Sequence, residues 1–83
     1  MKAKTFGAQY KLVEFNHYVD NEKDKPVNII DFVVESDNIN FIEEEFSHFF
    51  VIETGESSYI FNDYKLTECY ELGGGLIRVI CVK

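Results

Sequence analysis

Hydrophobic and polar residues alternate along the first part of the chain. Every second position from Phe6 to Leu12 is apolar, and the alternation then shifts so that Val13 and Phe15 are apolar. Successive side chains of a strand point to opposite faces, so one inserted residue reverses the pattern. The sequence therefore predicts a β-strand over residues 6–15 with a bulge or bend near residue 13.

The stretch 27–35 is apolar on both sides of an extended chain. It follows a charged segment, residues 20–26, that ends in proline and is expected to form an exposed loop. A strand with two apolar faces is typical of a central or sandwiched position. Asp31 shares a face with Ile29 and Val33, where a carboxylate is expected only if that face reaches solvent.

Residues 38–47 fit two descriptions. Apolar residues recur at helical spacing from Ile39 to Phe46, which favours a helix. The same segment and the run after it are rich in β-forming residues, which favours an extended chain. We predict a short strand over 38–42 and a turn at 43–45, with a helix over 38–47 as the alternative.

A hairpin is predicted around Gly55-Glu56. Glycine stands first in this pair, as a type II′ turn requires. A two-residue turn here pairs Phe50 with Phe61, so apolar residues meet across the two strands.

The last hairpin turns within three consecutive glycines, residues 73–75. With the last two glycines as the turn pair, Tyr70 opposes Val79. In this register Cys69 and Cys81 fall on opposite faces and cannot form a disulfide. A slip of one residue would bring the cysteines onto one face, but diagonally.

These segments together predict a mainly β fold. The expected architecture is a small antiparallel sheet or barrel of five to six strands, and the alternative is an α+β fold with one helix near 38–47. At 83 residues the chain has room for a single domain spanning 1–83, and 46% hydrophobic residues exclude intrinsic disorder. No apolar run is long enough to span a membrane, and the start lacks the pattern of a signal peptide, so we expect a cytoplasmic protein.

Charge is distributed unevenly along the chain. The formal net charge is −7, and no Lys or Arg occurs between Lys25 and Lys65, where nine acidic residues lie. Those nine are Asp31, Glu35, Asp37, Glu43, Glu44, Glu45, Glu53, Glu56 and Asp63. Local pairing cannot neutralise them, so unless Lys2, Lys4 and Lys11 fold over them they predict a surface of one sign that attracts basic partners and repels nucleic acid. The alternative is that the charge serves solubility alone.

Residues suited to catalysis or metal binding are few. The two cysteines are expected to be reduced and buried, and His17 and His48 are the only histidines. A nucleophilic cysteine needs an activating base, and a zinc site needs about four suitably spaced ligands. We therefore predict no catalytic residues, no metal site and no cofactor.

The predicted function is that of a non-enzymatic inhibitor or adaptor. In size and acidity the chain resembles small phage anti-restriction and anti-CRISPR proteins and toxin-immunity proteins. The resemblance implies an acidic face that docks on a basic protein surface, such as that of a nuclease or another nucleic-acid-binding enzyme, without contacting nucleic acid or membrane. The expected contact residues are Asp37, Phe41, Glu43, Glu44, Glu45, Glu53, Glu56, Tyr59 and Asp63. The alternative is a homo-oligomeric structural or assembly module, because residues 27–35 are apolar on both faces and one small sheet cannot cover both.

Overall fold

In the computed structural model, which describes residues 1–21 and 24–83, these residues form seven strands and one helix. In chain order the elements are β1 (Lys2–Lys4), β2 (Gln9–Asp20), β3 (Val27–Glu35), α1 (Ile39–Glu45), β4 (Phe50–Glu53), β5 (Ser58–Phe61), β6 (Lys65–Gly73) and β7 (Leu76–Val82). The strands make one open antiparallel sheet in the order β5-β4-β1-β2-β3-β7-β6.

The mainly β class is confirmed, and the strand number of five to six is corrected to seven. β1 was not predicted because it is only three residues long and two of these are lysines, so the sequence shows a single apolar residue there. Its Ala3 is completely buried, which fixes the strand between β2 and β4. The predicted loop 20–26 contains residues 22 and 23, which lie outside the described residues.

β2 contains the predicted bulge. The pairing register with β3 shifts between Leu12 and Glu14, so the first part of β2 pairs with β1 and the rest with β3. The strand begins later than predicted, at Gln9, because the Thr5 N–H donates to the Ala8 carbonyl (2.9 Å) and closes a turn before it. Phe6 lies in this turn and is 95% exposed.

The segment 39–45 is helical, so the predicted strand over 38–42 and turn at 43–45 are wrong and the helical alternative is right. The Asn38 side chain accepts a hydrogen bond from the Phe41 N–H (3.1 Å), as an N-cap residue does. Ile42 and Phe46 are completely buried. A helix of seven residues is unstable alone, so this burial holds it in place.

The two hairpins differ in how well their registers were predicted. β4 and β5 pair as expected, with Phe50 opposite Phe61. In β6 and β7 the register is one residue off, and Tyr70 opposes Arg78 instead of Val79. The register shifts by one residue because of an irregularity between Glu71 and Gly73. In the observed register the two cysteines are diagonal neighbours on one face of the sheet, and both are free thiols.

The inner face of the sheet, which includes Phe32, surrounds the core together with α1. The rings of Phe32, Phe46 and Phe50 lie with centroids 5.1–5.6 Å apart, at angles typical of aromatic clusters. The outer face of the sheet includes Asp31, which forms an ion pair with Arg78. No helix among the described residues is long and apolar enough to cross a membrane.

Candidate protein-binding surface

The acidic residues of the middle third do not form one array. Glu53 lies opposite Lys2 in the β1–β4 ladder, and its carboxylate is 2.7 Å from the Lys4 ammonium. The hydrogen bond from Lys4 lowers the pKa of Glu53. Glu35 lies 4.0 Å from the Lys11 ammonium. The amino-terminal lysines therefore compensate two of the nine acids.

Asp31 is compensated as well. The Arg78 guanidinium binds Asp31 and also Glu14, whose carboxylate is 3.1 Å away, on the outer face of the sheet. The hydrogen bond to Asp31 raises the pKa of Arg78, with a smaller contribution from Glu14. This group satisfies a half-buried carboxylate and supports the sheet rather than offering free charge.

Two further acids, Glu56 and Asp63, lie outside the helix, in the loops before and after β5. Glu56 is in the β4–β5 turn, at the far end of β4 from α1, and that strand spans about 13 Å at 3.3 Å per residue. Asp63 follows β5 in a loop and adopts a left-handed conformation (φ 65°), which aspartate tolerates better than most residues. These two acids bracket β5 at its opposite ends.

The remaining acids lie on or beside α1. Asp37 precedes the helix and Glu43, Glu44 and Glu45 occupy its last turn. None of these four carboxylates lies within 4.0 Å of a cationic group in the described part of the chain. Because successive helical residues are rotated by about 100°, Glu43 points toward one flank and Glu45 toward the other, with Glu44 outermost.

Each flank of α1 has a different neighbour. Glu43 is on the side of Cys69 of β6, and the pKa of that thiol is raised by burial first and by the negative charge of Glu43 second. Glu45 faces the β1–β2 turn, where its carboxylate accepts a hydrogen bond from the Thr5 hydroxyl (2.7 Å). A side chain on Gly7 would come within 3.2 Å of the same carboxylate, so glycine allows the turn to approach the helix.

Exposed phenylalanines surround the Glu44 and Glu45 side of the helix. A shallow cavity of about 460 Å³ is lined by Phe6, Glu44, Glu45, His48 and Phe49. Phe6 is 95% exposed and Phe49 46% exposed. Phe41, one helical turn before Glu45, is 42% exposed. We define the helix-end surface as Phe6, Phe41, Glu44, Glu45, His48 and Phe49.

Only part of this surface is predicted by the sequence. Phe41, Glu44 and Glu45 were expected contact residues, whereas Phe6 was assigned to a strand and Phe49 to an apolar run. The available signal for Phe6 was its position directly before a glycine, which is common in turns. Tyr59 lies elsewhere: its ring packs against Phe15 and Phe61 at centroid distances of 6.2 and 6.4 Å.

The two cysteine thiols do not have the lowered pKa of a nucleophilic cysteine. Burial raises the pKa of Cys69 to about 11 and that of Cys81 to about 12, so both are protonated thiols at neutral pH. His17 packs edge-on against Phe61 at 5.7 Å. Within residues 1–21 and 24–83 there is no group of three or more His, Cys, Asp or Glu side chains that could hold a metal ion. Comparison of the chain with models of known families, with curated proteins and with solved structures finds no match.

Proposed function

We propose that this protein is a non-enzymatic binding domain that docks its helix-end surface on a basic surface of a partner protein. The observation that carries the proposal is the combination of nearly fully exposed Phe6 with the uncompensated Glu44 carboxylate around one cavity. An exposed aromatic ring next to unpaired charge is unfavourable for a free domain and useful for one that binds. In a complex, the Phe6 ring would contribute apolar contact area and the Glu44 carboxylate would contribute negative charge to the same interface.

The phenylalanines supply most of the affinity in this proposal. Binding energy at protein interfaces concentrates in a few desolvated anchors, and an aromatic ring that moves from water into a partner's pocket is stabilised by about 2 kcal/mol. Phe6 has nearly its whole side chain available for such burial, and Phe49 about half. The carboxylates act differently, because charges at the rim of an interface mainly raise the association rate and exclude acidic partners.

The sequence of α1 supports a binding role for its last turn. Glu43, Glu44 and Glu45 stand at the end where the helix dipole is negative, and the helix has no basic residue in that turn. Each such carboxylate opposes folding by about 0.3–1 kcal/mol at low ionic strength. Violations of a local stability rule without structural compensation tend to coincide with functional sites.

The proposed partner is a protein whose basic surface contacts phosphates, such as a nuclease or another nucleic-acid-binding enzyme. A carboxylate pair flanked by aromatic rings can occupy a groove whose lysines and arginines would otherwise bind a nucleic acid. Docking there would inhibit the partner by competition. The acidic contact is smaller than the nine-residue array expected from the sequence, because Glu53, Glu35 and Asp31 are already paired with cations.

Affinity capture with paired variants tests this function. The tagged chain and the double variant Phe6→Ser/Glu44→Lys are compared with a control, Leu72→Ser/Glu68→Lys, which makes the same changes at exposed positions on β6. We expect the first variant to lose a partner that the wild type and the control retain, and the captured complex to weaken between about 50 and 500 mM salt as charges are screened. Equal capture by both variants would refute the helix-end surface as the contact.

A second candidate, the homo-oligomeric module, is favoured by the outer face of the sheet. Tyr18 and Tyr70 are 47% and 44% exposed there, and half-buried Ile80 lies on the same face. Size-exclusion chromatography with light scattering distinguishes the two functions. A dimer that Tyr70→Glu converts to a monomer supports the module, and a monomeric wild type excludes it.

A further inference from the structure

The two strands at the ends of the sheet differ in their protection. β6 has register shifts at Leu66/Glu68 and Glu71/Gly73 and carries charged side chains, both of which discourage pairing with another strand. β5, Ser58–Phe61, has neither charge nor proline, and its pairing with β4 is regular. In the described part of the chain no strand pairs with its other side.

The hydrogen-bond pattern identifies which backbone groups of β5 are free. The Thr54 N–H donates to the Ser57 carbonyl at 3.0 Å, so these residues form a hydrogen-bonded pair at the end of the hairpin. Hydrogen-bonded and non-hydrogen-bonded pairs alternate along an antiparallel ladder. Ser58 and Ile60 are therefore in non-hydrogen-bonded positions toward β4, and their N–H and C=O groups point away from the sheet.

The side chains of β5 suit an added strand. Ile60 is 69% exposed on the outer face. Tyr59 and Phe61 point to the inner face, where both pack against Phe15 and hold the strand in position. An incoming strand would gain an apolar neighbour at Ile60 without disturbing the core.

Unpaired acids at both ends of β5 favour an added strand that carries positive charge. Glu56 and Asp63 are exposed, and neither lies within 4.0 Å of a cationic group in the described ranges. A second copy of this chain paired antiparallel around Tyr59 would bring Glu56 beside the other copy's Asn62 and Asp63, which repels. A strand with a basic residue at each end is attracted instead.

We propose that β5 is a strand-addition site for an extended segment of a partner protein: about four residues, including an apolar residue opposite Ile60, flanked by a basic residue on each side. Main-chain hydrogen bonds to Ser58 and Ile60 provide affinity, and the flanking charges select the segment. The inference extends the proposed function by adding a second contact on the basic partner.

Synthetic peptides and two variants at one position test the proposal. The probe is a fluorescent peptide Lys-Thr-Val-Thr-Val-Lys, compared with the same peptide bearing Glu at both ends, and binding is measured by anisotropy at about 50 mM salt. We expect about tenfold tighter binding of the lysine peptide, since two favourable surface pairs replace two repulsive ones. Ile60→Pro removes the outward N–H, and proline is tolerated in an edge strand, so this variant should bind the lysine peptide about tenfold more weakly. Ile60→Ala keeps the N–H and should change the affinity by less than about threefold.

Amide exchange identifies the occupied edge. The peptide should slow exchange at Ser58 and Ile60, whose amides are free without it. Equal binding of both peptides, or unchanged binding by a folded Ile60→Pro variant, would overturn the proposal. Protection of the same amides that rises with protein concentration alone would also overturn it, because the occupant would then be a second copy.

The peptide assay is independent of the capture assay. Phe6→Ser/Glu44→Lys leaves β5 intact and should bind the lysine peptide as the wild type does. Loss of capture with normal peptide binding supports both sites. If this variant loses capture but the wild type does not bind the peptide, the strand-addition site is refuted and the helix-end surface is still supported.

Discussion

Reversing two charges at the end of α1 should make the protein more stable. In Glu43→Lys/Glu44→Lys, lysines replace carboxylates where the helix carbonyls already present negative charge. Glu45 is left unchanged because its carboxylate accepts the hydrogen bond from Thr5. The change therefore alters the electrostatics of the last turn without removing a contact of either side chain with a cation in the described part of the chain.

The magnitude follows from the position of the two residues. A charge in the last helical turn contributes about 0.3–1 kcal/mol, and reversal both removes an unfavourable interaction and adds a favourable one. Both side chains are exposed, so solvent and salt reduce the effect, and we expect a gain of about 1–2 kcal/mol at low salt. For a domain of this size that gain raises the melting temperature by roughly 5–15 °C.

Thermal unfolding followed by circular dichroism at about 20 and 500 mM salt measures the effect. The control Asp24→Lys/Glu68→Lys also changes the net charge by four, from −7 to −3, but at exposed positions outside α1. An increase in melting temperature that both variants share reflects weaker overall charge repulsion. Only the additional increase of the helix variant over the control is due to the helix dipole. If the helix variant melts no higher than the control at low salt, the reasoning about the last turn is wrong.

Three further predictions concern the core, the outer face and the thiols. Phe46→Ala should cost about 3–5 kcal/mol in urea unfolding, because the ring is completely buried, whereas Phe49→Ala, three residues later and half exposed, should cost less than about 1 kcal/mol. Arg78→Ala should cost about 1–3 kcal/mol by leaving the half-buried Asp31 unpaired, and adding Asp31→Asn should recover part of this loss. Burial raises the pKa of the Cys69 thiol to about 11, so above pH 9 the unfolded chain ionises first and stability should fall toward pH 11. The loss should be about 1 kcal/mol per thiol at pH 10 and should disappear when both cysteines are replaced by alanine.

The sequence was sufficient where one local signal fixed the geometry. A single glycine before Glu56 determined the β4–β5 turn, and the register of that hairpin was predicted correctly. The β6–β7 hairpin has three consecutive glycines, all with positive φ between 63° and 88°, so the sequence offers several turn positions of similar energy. The bulge at Leu72, which decides among them, has no local signature.

The helix and the candidate surface depended on contacts between distant parts of the chain. α1 is stabilised by the burial of Ile42 and Phe46 rather than by its own propensity, and β-forming residues around it pointed to the wrong structure. Sequence distance likewise concealed the Lys4–Glu53 ion pair, which depends on the pairing of β1 with β4. Charge counting therefore overestimated the acidic surface.

Glu43 and Glu44 of α1 combine two features. Like Glu56 and Asp63, they have no cationic partner among the described residues, and they also lie at the negative end of a helix dipole. The amino-terminal lysines reach Glu53 and Glu35, and Arg78 reaches Asp31, so cations are available in this small domain wherever the sheet brings them close. The last helical turn receives none of them among the described residues, although it is where added carboxylates oppose folding most. At positions 43 and 44 a lysine would remove no ion pair of the glutamate side chain in the described part of the chain, and it would interact favourably with the helix dipole. Under the proposed function these glutamates contact a basic partner, so the same variant that gains stability should capture that partner more weakly.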